Sequence, residues 1–322
     1  MRAARYHEHG GPEQLTVEEI ERPEPAANEL LVRVTAAGIN PVDTYFREGS
    51  YPVPELPWIP GSDAAGEVVA VGREVTTFET GQRVFATGLG RTTQGACAGY
   101  ATVSTEFAAP LPDAVGDAEA AALALVGTTA WQAFVHHGDI TPGDDVLVHG
   151  ANGGVGHIAV QLARAMGASV TATAKPAYHD EAEALGADAV VDYARDDLAA
   201  ALNDVCEPSL VLGTTVNRTI EADAEVLASG GTIVAIGNTK PTVAFPMGPG
   251  KGKDIRLQAM SMFNTPDTSA VLSRLAGMVA RGDIEPVVAR EYALDDIADA
   301  HRDVLSDSVL GKFVVRPHKQ ST

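Results

Sequence analysis

The sequence has few cysteines and no long hydrophobic run. Cys97 and Cys206 are the only two cysteines among 322 residues, which excludes a disulfide framework and any metal site built from four thiolates. No apolar stretch reaches the roughly 18 residues that a membrane span needs. The polar start, Met1 to Gly11, lacks the apolar core of a signal peptide. These absences predict a soluble, cytoplasmic protein that does not bind a membrane.

Basic residues are also scarce. The chain has 23 Lys+Arg, six of them lysines, against 43 Asp+Glu, which gives a formal net charge of -20. Such a field repels phosphate backbones, so we expect no nucleic-acid partner. Because concentrated salt relieves self-repulsion, the charge predicts a halophilic host and loss of folded structure below about 0.1 M salt. The alternative is an acidic protein of an ordinary mesophile.

The composition is otherwise that of a globular protein, and its length suits two domains. Short strand patterns separated by turn residues occupy the first 120 residues, which predicts a mainly β domain. Two helices are then predicted, Asp117–Leu123 and Thr128–His136. From Val146 onward, apolar strands alternate with amphipathic helices, a pattern typical of a doubly wound parallel sheet. A last strand is predicted at Lys312–Val315.

A glycine-rich turn points to a ligand. The apolar strand Val146–His149 is followed by the spacing Ala151-x-Gly153-x-x-Gly156, and a helix begins near Val155. In this arrangement the first small residue makes a tight turn, the second lets the backbone approach a pyrophosphate, and the third lets the helix pack on the strand. The free amides of the helix N-terminus then face the phosphates. We interpret the turn as a dinucleotide site rather than a purely structural turn, and His149 as structural.

The end of the second strand indicates the coenzyme. An acid about 20 residues beyond the glycines would hold the adenosine ribose of NAD. Here the sequence reads Thr173-Ala174-Lys175-Pro176, with no carboxylate before Asp180. Because a lysine attracts a 2′-phosphate, we predict NADPH; the alternative is that Lys175 is a solvated loop residue.

Further motifs run along the whole chain. They are Gly38–Tyr45 with Arg47, Gly49 and Tyr51, then Pro60–Gly66, Val126–Ala130, Val146–Gly156, the pair Gly230-Gly231 and the pair Gly311-Lys312. With these motifs the sequence resembles the medium-chain dehydrogenase/reductase superfamily, and within it the zinc-free quinone oxidoreductases of the zeta-crystallin type.

The resemblance implies an α/β protein in which a Rossmann doubly wound parallel sheet domain is inserted in a mainly β GroES-like catalytic domain. The catalytic domain would span 1–121, completed by 266–322, and the Rossmann NADP(H)-binding domain would span 122–265. A substrate cleft would lie between them. Relatives usually pair through the nucleotide-binding domain, so a homodimer or homotetramer is expected.

The resemblance also assigns roles to residues. Asn40, Tyr45 and Tyr51 would be catalytic. The residues expected to bind NADPH are Tyr45, Gly153, Gly154, Val155, Gly156, Lys175, Tyr193, Asn217, Gly237, Asn238, Phe263 and Lys312. Tyr178 replaces a lysine that many relatives carry, and the segment 213–216 lacks their usual aspartate.

Several of these residues also have plain structural interpretations. Tyr45 and Tyr51 could be packing aromatics, and Asn40 could cap the turn before Pro41. Phe263 fits a core position better than a contact when the sequence is considered alone.

Zinc is not expected. Zinc alcohol dehydrogenases of this superfamily place a cysteine where this chain has Asn40, and a histidine where it has Ser62. Amide and hydroxyl groups are poor zinc ligands beside thiolate and imidazole.

Three functions remain open from the sequence. The first is zinc-independent transfer of reducing equivalents from NADPH to a quinone. The second is NADPH-dependent reduction of α,β-unsaturated carbonyls or enoyl thioesters. The third is a non-catalytic NADPH-binding or RNA-binding protein, against which the net charge argues in the RNA case.

Overall fold

The computed structural model describes residues 1–318, which divide into two compact units. The first unit comprises Met1–Thr128, Pro266–Gly282 and residues 286–318, and the second comprises Thr129–Thr265 and Asp283–Glu285.

The strands and helices have the following bounds. The first seven strands lie in the first unit: β1 (Arg2–Arg5), β2 (Thr16–Glu19), β3 (Glu29–Ile39), β4 (Ala64–Val71), β5 (Arg83–Ala86), β6 (Tyr100–Ser104) and β7 (Ala108–Pro110). Those of the second unit are β8 (Asp145–His149), β9 (Ser169–Ala174), β10 (Ala189–Asp192), β11 (Leu210–Gly213), β12 (Thr232–Ala235) and β13 (Arg256–Ala259). The chain then returns to the first unit with β14 (Val288–Ala293) and β15 (Lys312–Arg316). The helices are α1 (Pro41–Glu48), α2 (Asp117–Trp131), α3 (Gly154–Ala165), α4 (His179–Ala184), α5 (Leu198–Asn203), α6 (Val216–Val226), α7 (Met247–Gly252), α8 (Thr268–Arg281) and α9 (Ile297–Ser306).

The second unit is built on a six-stranded parallel sheet in the order β10-β9-β8-β11-β12-β13. This is the strand order of a doubly wound dinucleotide-binding fold, in which ligands bind beyond the carboxyl ends of the strands where the order reverses. The reversal lies between β8 and β11, and the carboxyl end of β8 is His149. The predicted doubly wound sheet is confirmed, and it places the glycine turn at the expected ligand edge.

The first unit is mainly β. Its seven-stranded sheet runs β14-β15-β3-β4-β5-β7, with β6 also paired to β3. The long strand β3 organises the sheet because it pairs with β4, β6 and β15. Its last residue, Ile39, is fully buried and leads directly into Asn40 and helix α1. The end of β3 and the beginning of β15 are therefore brought side by side.

Helix α2 corrects a prediction. We predicted two helices with a break before Thr128, but α2 runs unbroken to Trp131 and continues as one π-helical segment, Gln132–His137. Gly127 does not interrupt it, because the missing side chain allows close packing: an added Cβ would lie 2.9 Å from Leu275 Cδ1. By length and composition the stretch Asp117–His137 could cross a membrane, but 83% of its apolar window is buried inside the protein, as expected of a core helix.

Candidate cofactor and active site

The glycine turn has the geometry that its sequence predicts. Gly150 has a φ of +70°, a conformation that favours glycine, and its carbonyl accepts a hydrogen bond from Gly153 N at 2.9 Å. Gly153 is the N-cap of α3. A Cβ on Gly156 would lie 2.0 Å from Gly150 O, so only glycine permits this contact between turn and helix.

The exposed side of the turn fits a dinucleotide pyrophosphate. Gly153, Gly154 and Val155 are half-buried, and a Cβ on Gly153 would meet nothing closer than Gly150 O at 3.4 Å. The first amides of helix α3 have no acceptor within the helix, and the helix dipole favours negative charge there. The turn therefore provides both open space and donors for phosphate oxygens.

Lys175 and Tyr193 follow two neighbouring strands at the carboxyl end of the parallel sheet. Lys175 directly follows β9 and is exposed, and Tyr193 directly follows β10 and is half-buried. The two strands are paired with Ala174 opposite Asp192, so the next residues along the chain share the same edge. The Asp192 carboxylate is occupied locally, since it accepts a hydrogen bond from Ala194 N at 2.9 Å. A cation and an aromatic ring are thus available where an adenosine 2′-phosphate would be recognised.

Asn217 forms side-chain hydrogen bonds with the backbone of the loop that contains residues 238–242. Its Oδ1 accepts hydrogen bonds from the backbone amides of Thr239 (2.8 Å) and Lys240 (3.2 Å), and its Nδ2 donates to Thr242 O at 2.8 Å. The exposed Asn238 lies in the same loop and donates to Lys240 O at 2.8 Å. Asn217 therefore shapes the loop that carries Asn238.

Gly237 and Phe263 are two further residues that the sequence predicts to bind the coenzyme. Gly237 packs against the end of β11, where a Cβ would lie 2.1 Å from Thr214 O. Phe263 lies in a 3-10 turn, Met262–Asn264, and is half-buried rather than part of the core.

In the first unit, Asn40 is the centre of a buried polar cluster. It is 1% exposed, and its Nδ2 donates to Asp63 Oδ2 at 2.8 Å. Its Oδ1 accepts a hydrogen bond from Lys312 Nζ, which also donates to Ile39 O. Asn40 N donates to Asp43 Oδ2 at 2.8 Å, so Asn40 also begins helix α1 as a cap. The structure thus brings together Asn40 and Lys312, which are 272 residues apart.

Two carboxylates and one ammonium share this cluster, and all three are buried. Asp43 Oδ1 accepts a hydrogen bond from Ser62 Oγ at 2.6 Å. Burial raises the pKa of Asp63 to about 7, although the charge of Lys312 acts in the opposite direction. Burial also raises the pKa of Asp43 and lowers the pKa of Lys312. We name this set, Asn40, Asp43, Ser62, Asp63 and Lys312, the buried cluster.

The sequence did not point to Asp43 or Asp63. Their positions in the sequence could have identified them: Asp43 stands three residues after the helix cap, and Asp63 directly follows Ser62. Asn40 and Ser62, which the family resemblance aligns with zinc-ligand positions, are here hydrogen-bonded to the two carboxylates. Across residues 1–318, no group of three or more His, Cys, Asp or Glu side chains is placed to hold a metal ion.

Tyr45 and Tyr51 form an aromatic pair beside helix α1. Their ring centroids are 5.7 Å apart in an edge-to-face arrangement, and Tyr51 also contacts Phe46 at 5.9 Å. Tyr45 is half-buried and Tyr51 is 48% exposed. Burial raises the pKa of Tyr45, so its hydroxyl stays protonated at neutral pH. Both rings pack and both remain reachable by solvent.

Comparisons with known proteins agree with this architecture. Residues 26–113 match the alcohol dehydrogenase GroES-like domain, and residues 185–315 match a domain described as zinc-binding dehydrogenase. Quinone oxidoreductase of Rattus norvegicus is 32% identical, over 98% of this chain and 97% of the relative. Quinone oxidoreductase of Pseudomonas aeruginosa is 33% identical, over 96% of this chain and 97% of the relative.

Solved structures give the same result. Escherichia coli quinone oxidoreductase complexed with NADPH has a TM-score of 0.89 and 32% identity, covering 98% of this chain and 100% of that one. A protein described as an NAD-dependent alcohol dehydrogenase has a TM-score of 0.91 and 30% identity, covering 98% and 99%. The predicted combination of a GroES-like domain with a Rossmann domain is confirmed. The chain belongs to the medium-chain dehydrogenase/reductase superfamily, among its quinone oxidoreductases, and it is an NAD(P)-dependent oxidoreductase.

Proposed function

We propose that the protein is a zinc-independent NADPH:quinone oxidoreductase. The observation that carries the proposal is the buried cluster: the amide of Asn40 and the hydroxyl of Ser62 stand at the zinc-ligand positions of relatives and are bonded to carboxylates. Such a donor set suits an acceptor that is already electrophilic, as a conjugated quinone is, rather than an alcohol that a Lewis acid must activate. The curated relatives named above are quinone oxidoreductases.

The second unit would hold the coenzyme. The amides at the start of α3 would receive the pyrophosphate, and Lys175 with Tyr193 would recognise the 2′-phosphate. When bound, NADPH supplies a hydride. The chain's own contribution is then to bind and orient the two reactants, which accounts for much of the rate in such reactions.

The coenzyme preference is tested with Lys175→Ala, using Lys251→Ala as the matched removal of another exposed lysine. Losing a charge-assisted hydrogen bond should raise KM for NADPH about tenfold and leave KM for NADH nearly unchanged. The wild type should prefer NADPH in kcat/KM. Comparable kcat/KM for both coenzymes in the wild type would contradict the assignment.

Tyr45 would donate a proton to the reduced acceptor. Its raised pKa keeps the hydroxyl protonated, and its half-buried position leaves it reachable. Tyr45→Phe should lower kcat about 100-fold if this donation is required. Tyr100→Phe, a half-buried tyrosine on β6, is the matched control. An unchanged kcat in Tyr45→Phe would remove the proposed role.

The acceptor class is tested with a substrate panel. The wild type should reduce 1,4-benzoquinone and 9,10-phenanthrenequinone with NADPH, and should show little turnover with 2-enals or crotonyl-CoA. The reverse ranking would assign the protein to enone or enoyl-thioester reduction, and no turnover of any member would refute an NADPH-dependent reductase.

We also propose that the chain forms a homodimer through β13. Within residues 1–318, this strand pairs on one side with β12 and ends the sheet. Its Leu257 is 43% exposed, and an unpaired edge strand that carries an exposed leucine invites pairing with a second copy. Light scattering should report a dimer, and Leu257→Asp should give monomers whereas Leu305→Asp, at an exposed leucine of α9, should not. A monomeric wild type would contradict this proposal.

A further inference from the structure

A buried histidine lies directly beneath the glycine turn. His149, the last residue of β8, is 2% exposed, and its Nε2 is 2.7 Å from Asp223 Oδ1. Its Nδ1 is 3.0 Å from Thr173 Oγ1, at the end of β9. Asp223, on helix α6, is fully buried and accepts a second hydrogen bond from Thr219 Oγ1 at 2.8 Å. One imidazole ring therefore links the ends of two central strands to a helix.

Thr173 carries this linkage to the turn itself. Gly150 N donates to Thr173 Oγ1 at 3.3 Å, and Ala151 N donates to Thr173 O at 2.9 Å. From the other neighbouring strand, Thr214 Oγ1 donates to His149 O at 3.1 Å. The first two residues of the turn, Gly150 and Ala151, are thus hydrogen-bonded to Thr173, whose hydroxyl group also contacts His149.

The hydrogen-bond directions are consistent. The Asp223 carboxylate can only accept, so His149 Nε2 carries a proton. In the neutral ring, Nδ1 then accepts a hydrogen bond from the Thr173 hydroxyl group. The lone pairs of Thr173 Oγ1 are left to accept a hydrogen bond from the amide of Gly150. Buried polar or charged pairs add little stability compared with well-packed apolar residues of the same volume, and their best supported use is to fix one arrangement.

We propose that His149 is a positioning residue for the dinucleotide: through Thr173 it holds the Gly150 turn in the shape that receives the pyrophosphate. Asp223 fixes the orientation of the ring, and Thr173 transmits it. This inference rests on the proposed NADPH binding, and it adds residues that act through the turn.

The first test removes the hydroxyl group. Thr173→Val keeps the shape of the side chain but cannot accept from Gly150, while Thr173→Ser restores the hydroxyl. Thr171→Val is the matched control, because Thr171 is buried on the same strand two residues earlier. The Kd for NADPH, measured by coenzyme fluorescence, should rise about three- to tenfold in Thr173→Val relative to Thr171→Val, and Thr173→Ser should recover most of the loss.

The second test asks whether the two residues act through one route. His149→Gln keeps a donor near the Asp223 carboxylate but loses the contact to Thr173, so it should raise the Kd by a similar factor. The double variant, His149→Gln with Thr173→Val, should bind NADPH no worse than about twofold weaker than either single variant, because both remove the same linkage. Two independent structural defects would instead multiply their effects.

A third readout needs no nucleotide. Amide hydrogen exchange of a peptide covering residues 148–156 should be faster in Thr173→Val than in Thr171→Val. If the wild type binds NADPH and all variants bind it equally, the positioning role is refuted. If the wild type does not bind NADPH but amide exchange is faster in Thr173→Val than in Thr171→Val, the proposed function fails, whereas the role of His149 and Thr173 in positioning the turn stands. Unchanged exchange refutes the inference in either case. Should Thr173→Val not fold, His149→Gln decides the matter by the same measurements, with Thr171→Val as its control.

Discussion

Lys312→Met should destabilise the first unit, because it removes the cation of the buried cluster. The substitution keeps the length of the side chain but leaves Asn40 Oδ1 and Ile39 O without their buried donor. It also leaves Asp43 and Asp63 without the positive charge that favours their ionised forms. Breaking a buried pair by removing one partner costs about 3–5 kcal/mol in free energy of unfolding.

The loss should depend on pH. Asp63 has a folded-state pKa of about 7, above its unfolded value, so it contributes stability at low pH that is lost as the pH rises toward 7. Without Lys312 the folded-state pKa of both carboxyls rises further, and the loss continues to higher pH. The difference between the variant and the wild type should therefore be smaller at about pH 5.5 than at about pH 8.5.

The assay is urea unfolding at both pH values in high salt. Trp58 lies in the first unit and Trp131 in the second, so a Trp131→Phe background lets fluorescence follow the first unit. Arg73→Met is the matched control, since it removes a cation that is 83% exposed from the same unit. Adding Asp63→Asn to Lys312→Met should recover part of the loss at the higher pH. A loss no larger than that of Arg73→Met, or one that is equal at both pH values, would refute the reasoning.

The packing of Gly156, the burial of the two thiols and the net charge each give a further prediction. Gly156→Ala should weaken NADPH binding at least about tenfold in a fluorescence titration, because its Cβ would lie 2.0 Å from Gly150 O. The control is Gly248→Ala, whose Cβ would have nothing within 4 Å and which should bind NADPH like the wild type. Equal affinities of the two variants for NADPH would contradict this prediction. Burial raises the pKa of Cys206 to about 11 and that of Cys97 well above its usual value, so N-ethylmaleimide should modify both thiols only after denaturation. Mass spectrometry that finds rapid labelling of the native protein would oppose this. The net charge of -20 predicts a melting temperature that rises between about 0.1 M and about 1 M salt, and calorimetry showing no change would exclude salt adaptation.

Local chemistry made much of the second unit predictable. The apolar strand, the small residues of the turn and the beginning of the amphipathic helix lie within 11 consecutive residues, Val146–Gly156, and each constrains the backbone by itself. Alternating strands and helices then determined the sheet type, because parallel strands need crossover helices. The break predicted between Leu123 and Thr128 was wrong: Gly127 lies inside the helix, and its missing side chain lets Leu275, a residue distant in sequence, pack closely against it.

The sequence by itself determined the residue types available for chemistry: a glycine turn, one lysine after β9, and amide and hydroxyl groups in place of zinc ligands. Only the tertiary structure decided which of them act together. Lys312 meets Asn40 across 272 residues, and His149 meets Asp223 across 74, because sheet order and helix packing bring distant chain segments to one place. No local sequence pattern predicts these contacts, since a buried polar side chain forms hydrogen bonds with whichever partner the fold provides.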